Sequence, residues 1–261
     1  MNSYEIAVIG AGMAGLTCAQ QLQQMGYQVV VLDKSRGVGG RIATRRVGAH
    51  VVDHGARYLE PQGPLTERLI QILVEQQKLH LWSDRMAVLP ADQSLQSLPK
   101  GSTSPGLPRY VAPSGMTTIP KFLATGLTLY LGQWVKGLTL TPERTWQLQL
   151  ESNQPDCPET FTHLEARSLV IAIPAPQALA LLSPLPDRVF PAESLNLLQS
   201  ITYDPCLSIM AGYPDDRLQA LESAELDWRA IDCPGDSHLQ WIGWDHAKRS
   251  QAKAPISSPI S

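Results

Sequence analysis

Several features that would mark a specialised chain are missing here. The 261 residues include four cysteines, Cys18, Cys157, Cys206 and Cys233, scattered without a C-x-x-C pair or any metal-ligand spacing. No disulfide framework is expected, and free thiols in a reducing compartment are the simple reading. The six histidines fall into no H-E-x-x-H or comparable pattern, so no metal is predicted. Charge of one sign is not in excess: 21 Lys and Arg stand against 24 Asp and Glu, a net charge of −3. Neither nucleic acid nor an anionic membrane surface is indicated as a partner. No apolar run is long enough to span a bilayer. The amino terminus enters a strand carrying Glu5 without a basic leader or cleavage site, so a secretory signal is not expected and the cytoplasm is the predicted location. There is no internal repeat and no G-x-S-x-G nucleophile signature.

What is present begins at once. Tyr4 to Ile9 is a short apolar run suited to a buried parallel strand, and it leads into Gly10-Ala11-Gly12-Met13-Ala14-Gly15. In this G-x-G-x-x-G arrangement Gly10 allows the tight turn, Gly12 the close approach of backbone to a pyrophosphate, and Gly15 the close packing of helix on strand. A helix is predicted from the spacing of Ala14, Cys18, Leu22 and Met25, with Gly26 as its carboxy-terminal cap. Its unpaired amino-terminal N–H groups, those of Met13 and Ala14 among them, favour a phosphate. Val29 to Leu32 predict the second strand, ending at Asp33, with Lys34 after it as a further cofactor-binding candidate. A carboxylate there accepts ribose hydroxyls and repels a 2′-phosphate, which disfavours NADP. Gly39-Gly40-Arg41 then bring bare backbone and a guanidinium towards the same diphosphate, and this favours FAD over NAD.

These residues resemble the FAD-binding end of the amine oxidase and phytoene desaturase superfamily, and more closely its renalase-type branch. The resemblance rests on Asp33 to Arg41, Asp53-His54-Gly55-Ala56-Arg57-Tyr58, Tyr110 to Met116, Val170 to Ala178, Tyr203-Asp204-Pro205-Cys206 and Leu226-Asp227-Trp228, and so runs to about Ser250. It implies an α/β, Rossmann-like FAD/NAD(P)-binding fold with a β-meander crossover and an interrupted α+β substrate domain. The implied FAD-binding domain is 1–60 with 109–183, the substrate domain 61–108 with 184–249. Gly55, Ala56, Arg57 and Tyr58 would bring backbone and an aromatic ring to the flavin, Tyr58 being the candidate pocket residue. Val135 would contact the adenine through its backbone. The implied activity is oxidation of dihydronicotinamide isomers of NAD(P)H, with oxygen reduced to hydrogen peroxide. An amine oxidase-type flavoenzyme, acting on an amine, is the alternative. No catalytic acid or base is singled out, because the flavin carries the redox chemistry.

A coarse pass predicts a helix over 64–79, an exposed connection over 94–108, a helix over Thr118 to Leu123 and a strand over Leu127 to Leu131. It continues with a hairpin of Trp134 to Leu140 and Thr145 to Leu150, a polar loop with Pro155 and Pro158, and a central strand over Ser168 to Ile173. A short helix is expected to run through Leu182, and further strands over Leu207 to Gly212 and Leu239 to Trp244. The resemblance also implies a later strand ending in Gly-Asp and a closing helix. Gly235-Asp236 reads instead as a turn, and Ser250 to Ser261 as an unstructured tail, so the chain is expected to be short at its carboxy terminus. A catalytically inactive FAD- or ADP-binding remnant is the remaining expectation.

Overall fold

The structure, a computed structural model, describes residues 3–48, 50–90, 103–153, 162–213 and 228–249. The expectations for 94–102, Pro155, Cys157, Pro158, Leu226-Asp227 and the 250–261 tail lie outside these residues. The chain divides into two compact units, Met1–Ala43 with Ile119–Leu207, and Thr44–Thr118 with Ser208–Ser261.

The first unit is built on β1 (Ser3–Ile9), α1 (Met13–Gln24) and β2 (Val29–Asp33). Ala7, Val8, Val30, Val31 and Leu32 are fully buried, as a parallel strand covered on both faces requires. The predicted helix is present, and Gly26 closes it with a φ of +94°. Its inward face is Gly15, Leu16 and Ala19 rather than the Ala14–Met25 stripe: Ala14 is exposed and Met25 is 71% exposed. The reason is the tight approach to the sheet that Gly15 allows, which fixes the rotation of the helix about its axis.

After α3 (Thr118–Leu123) and β7 (Thr128–Leu131), the antiparallel pair β8 (Gln133–Leu140) and β9 (Trp146–Ser152) forms the expected hairpin. β10 (His163–Ile171) starts earlier than predicted and pairs antiparallel with β9 and parallel with β1, Ile9 opposite Ile171. The sheet order is β7-β2-β1-β10-β9-β8. β10 is therefore central, although Val170 and Ile171 are only half-buried. Pro174 and Pro176 end this run and open α4 (Ala175–Leu182), followed by α5 (Ala192–Gln199). Ala178, Leu181, Leu182 and Leu185 pack with Leu148, Leu164 and Ala166 in one core cluster.

The second unit contains the hairpin β3 (Thr44–Val47) and β4 (His50–Asp53), and α2 (Pro64–Glu75). β5 (His80–Val88), β6 (Thr103–Val111), β11 (Ala230–Asp232) and β12 (Trp241–Gly243) form a sheet in the order β12-β11-β5-β6. Helix α2 ends four residues before the predicted boundary at 79, since Gln77 takes a left-handed φ of 55°. Its buried residues are Ile70 and Leu73, whereas Leu65 and Ile72 face solvent. β6 begins at Thr103, inside the stretch expected to be loop. The strand expected over Leu207 to Gly212 is not formed. Leu207 and Ile209 are 93% and 92% exposed, and the residues pair with no neighbouring strand among those described. Alternating apolar residues alone do not make a strand without a partner for their N–H and C=O groups. Gly235-Asp236 is the predicted turn, its Asp236 carboxylate accepting the N–H groups of His238 and Leu239.

Gly15 sets a test of the helix-on-strand packing. A Cβ added there would lie 1.9 Å from the Gly10 carbonyl oxygen. Helix propensity alone favours Ala over Gly by about 1 kcal/mol; overpacking against backbone opposes it by about 1–3 kcal/mol or more. Gly15→Ala is expected to lower the urea midpoint, and an unchanged or raised midpoint contradicts this packing.

Candidate functional site

The first unit gathers the glycine loop, Asp33 and the Gly39-Gly40 turn. Gly10 has a φ of +113°, and a Cβ there would lie 2.5 Å from the Ala172 carbonyl oxygen, so a side chain is barred by both conformation and space. Gly12 is different. It is the N-cap of α1, makes no side-chain cap, and its Cβ would meet nothing within 4 Å. The first turn of α1 thus presents backbone N–H groups beside open space, the arrangement suited to an anion.

Asp33 organises this loop from the end of β2. One carboxylate oxygen accepts the Ala11 N–H at 2.7 Å and the other the Ser35 N–H at 2.7 Å. A carboxylate has about four lone-pair sites, so each oxygen retains room for a further donor such as a ribose hydroxyl. Gly39 donates its N–H to the Ala11 carbonyl at 2.8 Å and forms a parallel bridge with Gly12. Gly39 and Gly40 have φ of 131° and 56°, and a Cβ on Gly40 would lie 3.5 Å from the Gly12 Cα. The second glycine pair therefore lies directly against the first. Arg41 follows it, exposed, as is Lys34, whose carbonyl accepts the Asn153 side-chain amide. Met13 is half-buried and Ala14 exposed in the first turn, and Val135 is 3% exposed on β8. Asn153 had no signal in the sequence beyond its place after the hairpin. The residues fit a dinucleotide: open space at Gly12, an uncapped helix start and a carboxylate with acceptor capacity.

Gly55, Ala56, Arg57 and Tyr58 belong to the second unit, all half-buried. Within it, the Arg109 guanidinium lies 5.3 Å from the Tyr58 ring centroid and pairs with Glu60 at 3.0 Å. Arg57 lies 4.8 Å from the Trp241 ring, and the Tyr58 and Trp82 rings are 6.2 Å apart. An open pocket of about 330 Å³ is lined by Tyr58, Leu59, Glu60, Gln62 and Thr66.

Asp53, immediately before this segment, carries a network absent from the sequence expectations. Its fully buried carboxylate accepts the Thr44 hydroxyl at 2.6 Å and the Met116 N–H at 2.9 Å, and pairs with Arg249 at 2.8 Å and Lys248 at 3.5 Å. Asp245, in the 3₁₀ turn Asp245–Lys248, shares both cations at 3.1 and 3.0 Å. The i, i+3 and i, i+4 spacing of Asp245 with Lys248 and Arg249 was the available signal. Burial pushes the Asp53 carboxyl up, but the Thr44 and Met116 hydrogen bonds and the Lys248 and Arg249 charges outweigh it, leaving it below the ordinary carboxylate range.

The chain matches the NAD(P)-binding Rossmann-like domain over residues 8–73. It is 34% identical over 71 residues to a putative flavin-containing monoamine oxidase, AofH, of Mycobacterium tuberculosis, covering 27% of this chain and 15% of that protein. It is 48% identical over 44 residues to the flavin-dependent L-tryptophan oxidase RebO of Lentzea aerocolonigenes, covering 17% of this chain and 9% of that protein. The curated relatives are thus matched over a small fraction of their length. Among solved structures, a putrescine oxidase redesigned in its cofactor binding superposes with a TM-score of 0.53 at 15% identity, over 72% of this chain and 62% of that one. No helix among the described residues is long and apolar enough to cross a membrane.

This geometry can be tested at two residues. Gly12→Ala is expected to leave the unfolding midpoint within about 0.5 kcal/mol of the parent, while weakening dinucleotide binding about tenfold or more by blocking backbone approach; equal affinity in a binding titration contradicts the assignment. Asp53→Asn is expected to cost about 3–5 kcal/mol of stability at neutral pH by removing one of the two carboxylates that neutralise Lys248 and Arg249. Because the folded-state pKa of Asp53 is lowered, its contribution is complete above the ordinary carboxylate range and is lost as pH falls through the lowered value. The difference between parent and variant should shrink on acidification, and a pH-independent difference counts against the network. The glycine loop, Asp33 and the Gly39-Gly40 turn, together with these similarities, give the chain a Rossmann-like, dinucleotide-binding fold similar to that of putrescine oxidase.

Proposed function

We propose that the chain is an FAD-dependent oxidoreductase of the amine oxidase superfamily, and that it oxidises dihydronicotinamide isomers of NAD(P)H to NAD(P)+ with reduction of oxygen to hydrogen peroxide. The observation that carries the coarser part is the contact of Gly39-Gly40 with the Ala11-Gly12 loop beside an uncapped helix start. In this reading the N–H groups of Met13 and Ala14 and the Arg41 guanidinium hold the diphosphate. Asp33 accepts the ribose hydroxyls while its bonds to Ala11 and Ser35 fix the loop around them. Val135 offers backbone to the adenine. When bound, the flavin accepts a hydride and passes electrons to oxygen.

The substrate assignment is supported by the branch-type segments Asp53 to Tyr58 and Tyr203 to Cys206, and by the company that Tyr58 keeps. The half-buried rings of Tyr58 and Trp241, with the Arg57 guanidinium over the latter, suit a planar ring bearing negative charge elsewhere on the molecule, while the buried Trp82 and the Glu60-paired Arg109 support the Tyr58 ring from behind. In balance, one dihydronicotinamide, one oxygen and one proton give one oxidised nicotinamide and one hydrogen peroxide. A second reading, an amine as hydride donor, is favoured by the similarity to a putative monoamine oxidase and to putrescine oxidase.

The discriminating assay mixes FAD-loaded protein with each donor and follows peroxide release. Rapid, equimolar peroxide and NAD(P)+ from dihydronicotinamide isomers, with none from putrescine or monoamines, is the expected result. Peroxide from amines alone replaces the first reading with the second, and no peroxide from any donor overturns both.

A further inference from the structure

We infer that Tyr203 is a positioning residue of the glycine-loop site: its ring orients Arg41, and its hydroxyl pins the segment that backs the glycine turn. This rests on the dinucleotide reading of the loop and assigns a role within it that the loop residues do not supply themselves.

Two arms of Tyr203 reach the same region of the first unit. The Arg41 guanidinium carbon lies over the Tyr203 ring, 6.0 Å from its centroid. Arg41 is exposed and follows two glycines with positive φ, so neither core packing nor its local backbone restricts it. A guanidinium left free in water samples many rotamers, and each phosphate contact must then order it afresh; a ring beneath its plane restricts it beforehand. The second arm is the hydroxyl, which accepts the Ala175 N–H at 3.2 Å. Ala175 opens α4, and its N-cap Pro174 makes no side-chain cap, so the tyrosine satisfies a donor that the helix leaves open. Three residues earlier, the Ala172 carbonyl faces Gly10 and the Ala172 methyl faces Gly15, at 2.5 and 3.2 Å from where Cβ atoms would stand. The pinned segment is thus the wall against which the glycine turn is built.

Burial in the core does not account for the placement of Tyr203. It is 47% exposed, in the stretch 201–213 that carries no regular secondary structure. An exposed tyrosine with both its ring and its hydroxyl engaged, on partners from either side of one loop, fits an orienting role.

The test compares the 261-residue parent with Tyr203→Phe and Tyr203→Leu. The first readout needs no ligand: the heteronuclear NOE of the Arg41 Nε–H and the exchange rate of the Ala175 amide. Arg41 should be ordered in the parent and in Tyr203→Phe, which keeps the ring, and released in Tyr203→Leu. Ala175 exchange should quicken in both variants, because both lack the hydroxyl. The second readout is FAD affinity. Relative to Tyr203→Phe, which already lacks the hydroxyl, Tyr203→Leu should raise the dissociation constant about two- to fivefold, and that difference should vanish in the Arg41→Ala background. Unchanged Arg41 order in Tyr203→Leu, or a Leu-against-Phe difference that persists undiminished in the Arg41→Ala background, overturns the inference. If Arg41 order follows the ring but the parent takes up no FAD, the positioning stands and the flavin reading falls, so the two failures are told apart.

Discussion

The constraint on which the first unit depends is the closeness of backbone to backbone at the carboxy ends of β1 and β10. Gly10 admits the Ala172 carbonyl, Gly15 admits the Gly10 carbonyl, and Gly39 bonds to Ala11 across the loop. Gly10 and Gly15 permit these approaches because they lack a Cβ, Gly39 takes a positive φ that L side chains disfavour, and the amide-rich surface left at Gly12 is the product. The Asp33 carboxylate holds the loop in this shape before any ligand arrives. Binding a diphosphate therefore requires little reorganisation, which is where a preorganised site gains affinity.

The second unit is held in another way. Asp53 collects a hydroxyl, an amide and two cations in a site closed to water, and Asp245 balances the remaining charge. Such a cluster does not out-compete a well-packed apolar core in stability, but it fixes geometry, because losing one member strands the others. It ties β4, the 112–117 turn and the 245–249 turn together just ahead of Gly55 to Tyr58. Arg249 adds bonds to the Ala112 and Pro113 carbonyls.

The β1-α1-β2 unit was legible in the sequence because three independent signals coincide there: an apolar run, glycines at fixed spacing and an acid at the strand end. The hairpin of β8 and β9 was legible from alternation around Pro142-Glu143-Arg144, with Arg144 taking a φ of 62° at the turn. The rotation of α1 was not, because two apolar stripes compete on it, Ala14-Cys18-Leu22-Met25 and Gly15-Leu16-Ala19, and only the sheet decides which side faces inward. Leu207 to Gly212 shows the converse failure, where alternation is present but no partner strand among the described residues receives it. The Asp53 network joins residues nearly two hundred positions apart, and nothing local to Asp53 announces Lys248 or Arg249. Tyr203 had been visible only as part of a resemblance, without the contacts that give it a role.

The measurement that tests the central claim most directly is the visible absorption spectrum of the protein after gel filtration with added FAD, with release and identification of the bound flavin. The account predicts a flavin band at one FAD per chain, retained in the parent and diminished in Gly12→Ala. A colourless protein, correctly folded by its unfolding curve yet unable to retain FAD, would contradict it.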